Sequence, residues 1–351
     1  MAHLVTVHVI VPARNEQDCI ARCLESLVRQ QGIGFRITVV DDGSTDQTRA
    51  IAESFPTVQV IRAPEPGPGI SGKCNALITG AQQATAQWLL FTDADTVHYP
   101  GSLSTAVLEA ETHDVDLLSY SPEQETDSWG ELALMPVVFA DLVRTYPTER
   151  VNDPSDPAVA ANGQYILVKH EVYAALGGHQ AVADKILEDV ELARLFKATH
   201  HKILFHHGAG LVRTRMYRSC RAMCEGWTKN LALLFPHVLR LALIRILELV
   251  LILGLTISAA VELSHQNWFA GLILLAISGF FYVIFLLRVR RAHFPVRANL
   301  MALFGLPIFS SLLVRSYLHA NVRGAVTWKG RTYAHSAPQE AANSSTKKEL
   351  S

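Results

Sequence analysis

The twenty residues Trp268–Leu287 contain no Asp, Glu, Lys or Arg. As a helix they rise about 30 Å, the thickness of a bilayer's hydrocarbon core. A chain with such a run must either bury it in a large core or place it in lipid. The preceding stretch, Leu241–Leu263, is apolar apart from Arg245, Glu248 and Glu262 near its ends, and reads as another crossing. The third, Leu300–Val314, is short and interrupted by Pro307, Ser310 and Ser311, which leaves spanning, re-entrant and interfacial placements open. No Lys or Arg lies in Glu262–Asn267, whereas Arg288, Arg290, Arg291 and Arg297 crowd the next link. The positive-inside rule puts those arginines, and the N-terminal part, in the cytoplasm. A third full crossing would place Arg315, Arg323, Lys329 and Arg331 outside. Two crossings plus a re-entrant or interfacial segment are therefore expected, in the cell membrane.

Charge divides the chain the same way. Residues 1–210 carry 14 Lys and Arg against 27 Asp and Glu, and residues 211–331 carry 15 against 3. An acidic half joined to a basic, apolar half suits a soluble domain followed by a membrane-facing one. A net charge of -1 over 351 residues excludes a strongly basic nucleic-acid binder. Five cysteines, Cys19, Cys23, Cys74, Cys220 and Cys224, are an odd number without metal-site spacing and read as reduced thiols. Met1–Val11 lacks a basic leader and enters Pro12–Glu16 as a strand enters a loop, so no targeting peptide is expected. The expected boundaries are a soluble domain over 1–210, amphipathic interfacial helices over 211–240, a membrane-embedded region over 241–331 and a disordered tail over 332–351.

Within the first part, short β-branched runs alternate with helical spacing. Val5–Val11, Ile37–Val40, Val58–Ile61 and Trp88–Thr92 read as strands; residues 16–30, Thr48–Phe55 and Gly72–Ala84 read as helices. This order specifies an open, mostly parallel sheet with helices on both faces. Sites in such sheets lie beyond the carboxyl ends of the strands, where Arg14-Asn15-Glu16, Asp41-Asp42 and Asp93-Ala94-Asp95 fall. Asp93 and Asp95 can hold Mg²⁺ or Mn²⁺ through hard oxygen ligands. Asp41 and Asp42 can accept hydrogen bonds from a base or ribose, or Asp-Gly-Ser-Thr-Asp is a turn with Ser44 or Asp46 capping the next helix. Gly72-Lys73 offers a cation and backbone amides at a helix start, suited to phosphate oxygens, or is an ordinary loop with a solvated lysine. Arg213–Leu239, basic on one side with Trp227 and Phe235 on the other, reads as a helix lying on the bilayer. His200, His201, His206 and His207 read as surface or interface histidines.

In their order, Pro12-x-Arg14-Asn15-Glu16, Asp41-Asp42-Gly43-Ser44, Gly72-Lys73 and Thr92-Asp93-Ala94-Asp95 resemble the family 2 glycosyltransferases of the GT-A fold. Asn162-Gly163-Gln164, Gly177-Gly178 and Leu187-Glu188-Asp189 resemble that family's acceptor-side half. The resemblance implies a nucleotide-sugar donor, with Asp42 on the nucleotide and Pro12, Arg14 and Glu16 around base and ribose. It also implies Lys73 beside the diphosphate, Asp93 and Asp95 on the metal, and Asp189 as catalytic base with Glu188 beside it. A single displacement inverts the anomeric centre and needs no enzyme nucleophile. Asp189 also suits the start of a helix on dipole grounds alone. Of the processive synthases' Q-x-x-R-W, Met223–Trp227 keeps only Trp227, which argues against polymer extrusion. Tyr217–Asn230 and Trp328-Lys329-Gly330-Arg331-x-Tyr333 are similar to the membrane-bound subgroup that glycosylates carotenoid or hopanoid-type lipids. Trp227 is then either a bilayer anchor or part of the acceptor site. The expected acceptor is a lipid hydroxyl or carboxyl, with a polyprenyl phosphate as the alternative; a sugar nucleotidyltransferase would need a Gly-rich loop where Pro12–Glu16 stands.

Overall fold

The computed structural model describes residues 6–323 and the short strands 325–328 and 331–334. Most of the expected disordered tail, residues 335–351, lies outside the described residues, as do Lys329 and Gly330. Residues 332–334, expected in the tail, belong to a strand.

A seven-stranded sheet organises the first 207 residues. Its spatial order is β3 (Val58–Arg62), β2 (Phe35–Asp41), β1 (Val7–Ala13), β4 (Trp88–Phe91), β8 (Ile166–Lys169), β6 (Leu117–Ser121) and β9 (Ile203–His207). All pairings are parallel except those of β8, which runs antiparallel to both β4 and β6. Every residue of β1 and β4 is buried, because both sheet faces are covered, as parallel sheets require. Trp88 and Leu90 of β4 face one core with α1 (Ile20–Val28) and α4 (Ser102–Thr112); Leu89 and Phe91 face the other with α3 (Gly72–Ala81) and α8 (Glu188–Ala198). On α1, Ile20, Cys23, Leu24 and Leu27 are buried, the stripe its 3.6-residue spacing calls for. The short helices α2 (Thr48–Glu53), α6 (Thr148–Val151) and α7 (His170–Ala175) complete the layers. A second sheet, β5 (Thr96–His98), β10 (Val212–Thr214) and β7 (Glu123–Gln124), and a hairpin of β11 (Ala325–Trp328) and β12 (Arg331–Ala334) complete the strands.

A separate apolar cluster joins α5 (Trp129–Thr145) to α9 (Cys220–Leu234), α10 (Val238–Ser264), α11 (Trp268–Arg290) and α12 (Val296–Leu318). Three expectations change here. Arg213 lies in β10 and Arg215, Met216 and Tyr217 in a link, so the basic helix begins only at Cys220. Its apolar side faces protein: Met223, Trp227 and Leu231 are buried against α5 and α12, with the Trp227 and Phe139 rings 6.1 Å apart. Trp227 is therefore not a bilayer anchor. The third apolar segment is one continuous helix through Pro307, its Ser310 and Ser311 hydroxyls turned back onto the Leu306 and Pro307 carbonyls. It lies against α5 so closely that a Cβ on Gly305 would collide with the Ala133 carbonyl. Among the described residues, Trp268–Arg290 and Val296–Asn321 are long and apolar enough to cross a membrane by length and composition. The expected first span lies in α10, a helix of 27 residues interrupted by Arg245, Glu248 and Glu262.

Candidate active site

Strands β1, β2 and β4 are parallel, so their carboxyl ends deliver Arg14–Glu16, Asp41–Asp42 and Asp93–Asp95 to one edge of the sheet. Because β8 is antiparallel, the loop before it, Asn162–Gln164, reaches the same edge. Helix α8 runs back along the sheet before β9, which puts its first turn, Glu188 and Asp189, there too.

The first two loops are sewn together. Arg14 Nη1 donates to the Asp42 carbonyl at 2.9 Å and meets its carboxylate at 3.3 Å. Asn15, in the left-handed region at φ 53, accepts the Thr45 N–H on its side-chain oxygen at 2.9 Å. Glu16 N–H donates to Thr48 Oγ1 at 2.7 Å. Asp41 turns away: its carboxylate accepts the Ser44 N–H at 2.9 Å and does not line the cavity. It serves the turn, while Asp42 faces the cavity. Asp46 closes that turn by accepting from the Thr48 N–H at 3.0 Å.

Lys73 is the hub of the other half. Its Nζ lies 2.8 Å from Asp93 Oδ1 and 3.2 Å from Glu188 Oε1. It projects from the first turn of α3, whose start is capped by Ser71 accepting from the Cys74 N–H at 3.0 Å. Gly72 is buried behind it and does not line the cavity. Asp189 Oδ2 accepts the Gly163 N–H at 2.9 Å. Space at 163 is tight: a Cβ there would sit 3.0 Å from Lys73 Nζ and 3.4 Å from Asp189 Oδ2 and press on both. Gln164 extends the linkage: its carbonyl accepts from Thr92 Oγ1 at 2.7 Å, and its amide donates to Thr214 Oγ1 at 3.1 Å, which reaches the Asp95 carbonyl at 3.3 Å.

Burial alone would favour neutral Lys73, but Asp93, Glu188 and Asp189 override it and hold the ammonium well above its ordinary value. Burial also works against ionised Glu188, yet Lys73 and Lys229 outweigh it and keep that carboxyl low. Asp189 behaves oppositely. Burial, then the neighbouring Glu188 charge, push it up to about 6, against the pull of Lys73 and two backbone N–H groups.

Pro12, Arg14, Glu16, Asp42, Lys73, Asp93, Asp95, Glu188 and Asp189 all line one cavity of about 1070 Å³. Sequence reasoning placed these together; it did not see the wall formed by Arg215, Tyr217, Arg218 and, from α9, Ala222, Gly226 and Lys229. The basic spacing of 213–221 was the available signal, read as membrane-facing. The Asp93 and Asp95 carboxylates form an oxygen-only pair suited to a hard divalent cation. No third metal-ligating side chain joins them among the described residues, so remaining ligands would come from water or phosphate. Of the histidines, His201 pairs with Asp116 at 3.0 Å, His206 with Glu109 at 2.6 Å, and the His207 ring lies 4.6 Å from that of His293, tilted by 33°. Cys19, Cys23 and Cys74 are buried and Cys220 is exposed; all five cysteines are free thiols.

The glycosyl transferase family 2 model matches residues 8–173, from β1 to α7. The chain carries a family 2 glycosyltransferase domain. This glycosyltransferase is 27% identical over 344 residues to the 4,4'-diaponeurosporenoate glycosyltransferase of Staphylococcus aureus strain USA300, covering 94% of this chain and 89% of that one. The mannosyltransferase PcManGT from Pyrobaculum calidifontis, solved with GDP-Man and Mn²⁺, superimposes with a TM-score of 0.50 at 18% identity. That match spans 91% of this chain and 87% of that one, and it establishes a shared GT-A-like fold.

Proposed function

We propose that the enzyme moves a sugar, with inversion, from a nucleotide-sugar donor to a hydroxyl or carboxyl of a membrane-lipid acceptor. The observation that carries this reading is the meeting of Asp42, Asp95 and Asp189, from three distant stretches of chain, in one cavity with Lys73. Asp42, with Pro12, Arg14 and Glu16, holds the nucleoside, and Lys73 flanks the diphosphate. Asp93 and Asp95 would hold Mg²⁺ or Mn²⁺, which when bound offsets the charge growing on the departing diphosphate.

As the acceptor oxygen bonds to the anomeric carbon, the bond from that carbon to the diphosphate breaks and its electron pair leaves with the nucleotide. A hydroxyl acceptor gives its proton to Asp189, a carboxylate kept basic by burial and by Glu188. A carboxylate acceptor brings no proton to remove. Support for a lipid comes from α9, which lines the cavity and packs against the apolar helices α5 and α12, and from the Staphylococcus aureus relative, named for its action on 4,4'-diaponeurosporenoate. The arginines Arg288, Arg290, Arg291 and Arg297 favour a cell-membrane location with the catalytic domain cytoplasmic.

The test uses the full chain in detergent, labelled sugar nucleotides with Mn²⁺, and extracted membrane lipids. With a hydroxyl acceptor, Asp189→Asn is expected to abolish labelled lipid while nucleotide affinity stays within about twofold of wild type. Turnover retained in that variant would refute the base assignment.

A further inference from the structure

The segment leaving β10 runs alongside Asp95. Thr214 Oγ1 donates to the Asp95 carbonyl at 3.3 Å, and the Asp95 carboxylate acts on the buried Tyr217 phenol. Tyr217 itself is wedged against Gly226 of α9, where a Cβ would lie 2.5 Å from the phenol oxygen. The backbone at Tyr217 is thereby fixed, and the next residue, Arg218, enters the cavity. It stands near Cys19, whose thiol is within electrostatic reach of Glu16, Asp95 and Arg218.

Three other cavity cations hold largely buried carboxylates: Arg14 holds Asp42 at 3.3 Å, Lys73 holds Asp93 at 2.8 Å and Arg215 holds Glu131 at 3.2 Å. Among the described residues, the ion pair of Arg218 is with Asp18, at 4.0 Å, and Asp18 is 73% exposed. A long, solvated ion pair of that kind contributes almost nothing, so moving the guanidinium off it costs little. A diphosphate arriving beside Asp93, Asp95 and Glu16 brings further negative charge into an already acidic corner. It needs a cation whose charge is not already committed, and a guanidinium fork suits phosphate oxygens.

We infer that Arg218 is a donor-binding residue that leaves Asp18 and takes a diphosphate oxygen of the nucleotide sugar on the Asp95 side of the cavity. The inference rests on the nucleotide-sugar reading above. It is tested by calorimetric titration of the full chain in detergent with UDP and GDP, each with Mn²⁺, and with uridine and guanosine. If wild type prefers neither diphosphate over its nucleoside, the donor reading fails and the inference falls with it. If it binds one, Arg218→Gln is expected to weaken that diphosphate about tenfold, the loss of one charge-assisted contact, with nucleoside affinity unchanged. Arg218→Lys should recover part of the loss. Arg221→Gln, on the exposed face of α9 and paired with Glu225 at 2.9 Å, should change neither. Unchanged diphosphate affinity in Arg218→Gln, or an equal loss for the nucleoside, would overturn the assignment.

Discussion

Asp189 ionises late because burial and Glu188 both oppose a second negative charge, and Lys73 only partly offsets them. With its carboxyl near 6, the ionised fraction rises with pH through that value, and only the ionised form can take a proton. For a hydroxyl acceptor, kcat/KM should therefore fall about tenfold per unit below about pH 6 and level off above it. Replacing Glu188 by Gln removes the like charge and should move that acid limb to lower pH. A rate profile flat down to pH 4.5 would remove Asp189 from the proton path. At this scale the sequence was informative about identity and silent about state. Glu188-Asp189 was legible as a pair, but the two carboxyls move in opposite directions: Lys73 and Lys229, arriving from elsewhere in the fold, hold Glu188 down, while burial and the Glu188 charge push Asp189 up. Asp41 was misread for a related reason. Adjacent aspartates at a strand end point to opposite sides, and the Ser44 N–H captures the inner one.

The parallel strands and their helices were legible because their apolar spacing is local, and predicted and observed elements agree to within four residues at each end. Helix α5 went unread, although Ser128 and Glu131 form a capping box at its start. Its importance comes from partners far away in sequence. Glu131 holds Arg215 at 3.2 Å. Asp141, fully buried, takes Arg245 Nη2 at 2.5 Å and Nε at 2.8 Å, and Arg288 at 3.3 Å; Glu248 accepts from both arginines at 2.8 Å. The charges that read as interruptions of an apolar helix are the pins joining α10 and α11 to the catalytic domain. Removing one member of a buried pair leaves an uncompensated charge and costs about 3–5 kcal/mol, whereas replacing both is often near neutral. Arg245→Met is thus expected to lower the thermal midpoint in detergent clearly, and Arg245→Met with Asp141→Asn to recover most of the loss. Equal destabilisation by the single and double changes would show that the network does not join the two parts.

The same network fixes how the apolar helices stand relative to the catalytic domain. Arg245 near the start of α10 and Arg288 near the end of α11 both reach Asp141, so the two helices leave the domain together and return together. From Leu287 to Trp268 the helix rises about 30 Å, one hydrocarbon thickness, and the turn it reaches, Glu262–Asn267, has no Lys or Arg. Outward faces of both helices are apolar, with Leu247, Val250, Ile257, Leu272, Phe280 and Val283 all exposed, as contact with lipid requires. Helix α12 differs: half of its apolar window is buried against protein, which suits a segment held at the domain's surface more than an independent crossing. Sequence alone could not separate these cases, because hydropathy reports what a helix is made of and not what it leans on. If the hairpin crosses with the catalytic domain cytoplasmic, Asn267→Cys should react with a membrane-impermeant thiol reagent in intact cells. The native Cys220, exposed on α9 at the catalytic side, should react only after the cells are opened. Labelling of Cys220 before that point would reverse the orientation. Protection of both cysteines until lysis would mean that the hairpin lies within the cytoplasmic leaflet, and the arginine asymmetry would then mark attraction to anionic headgroups rather than a topology.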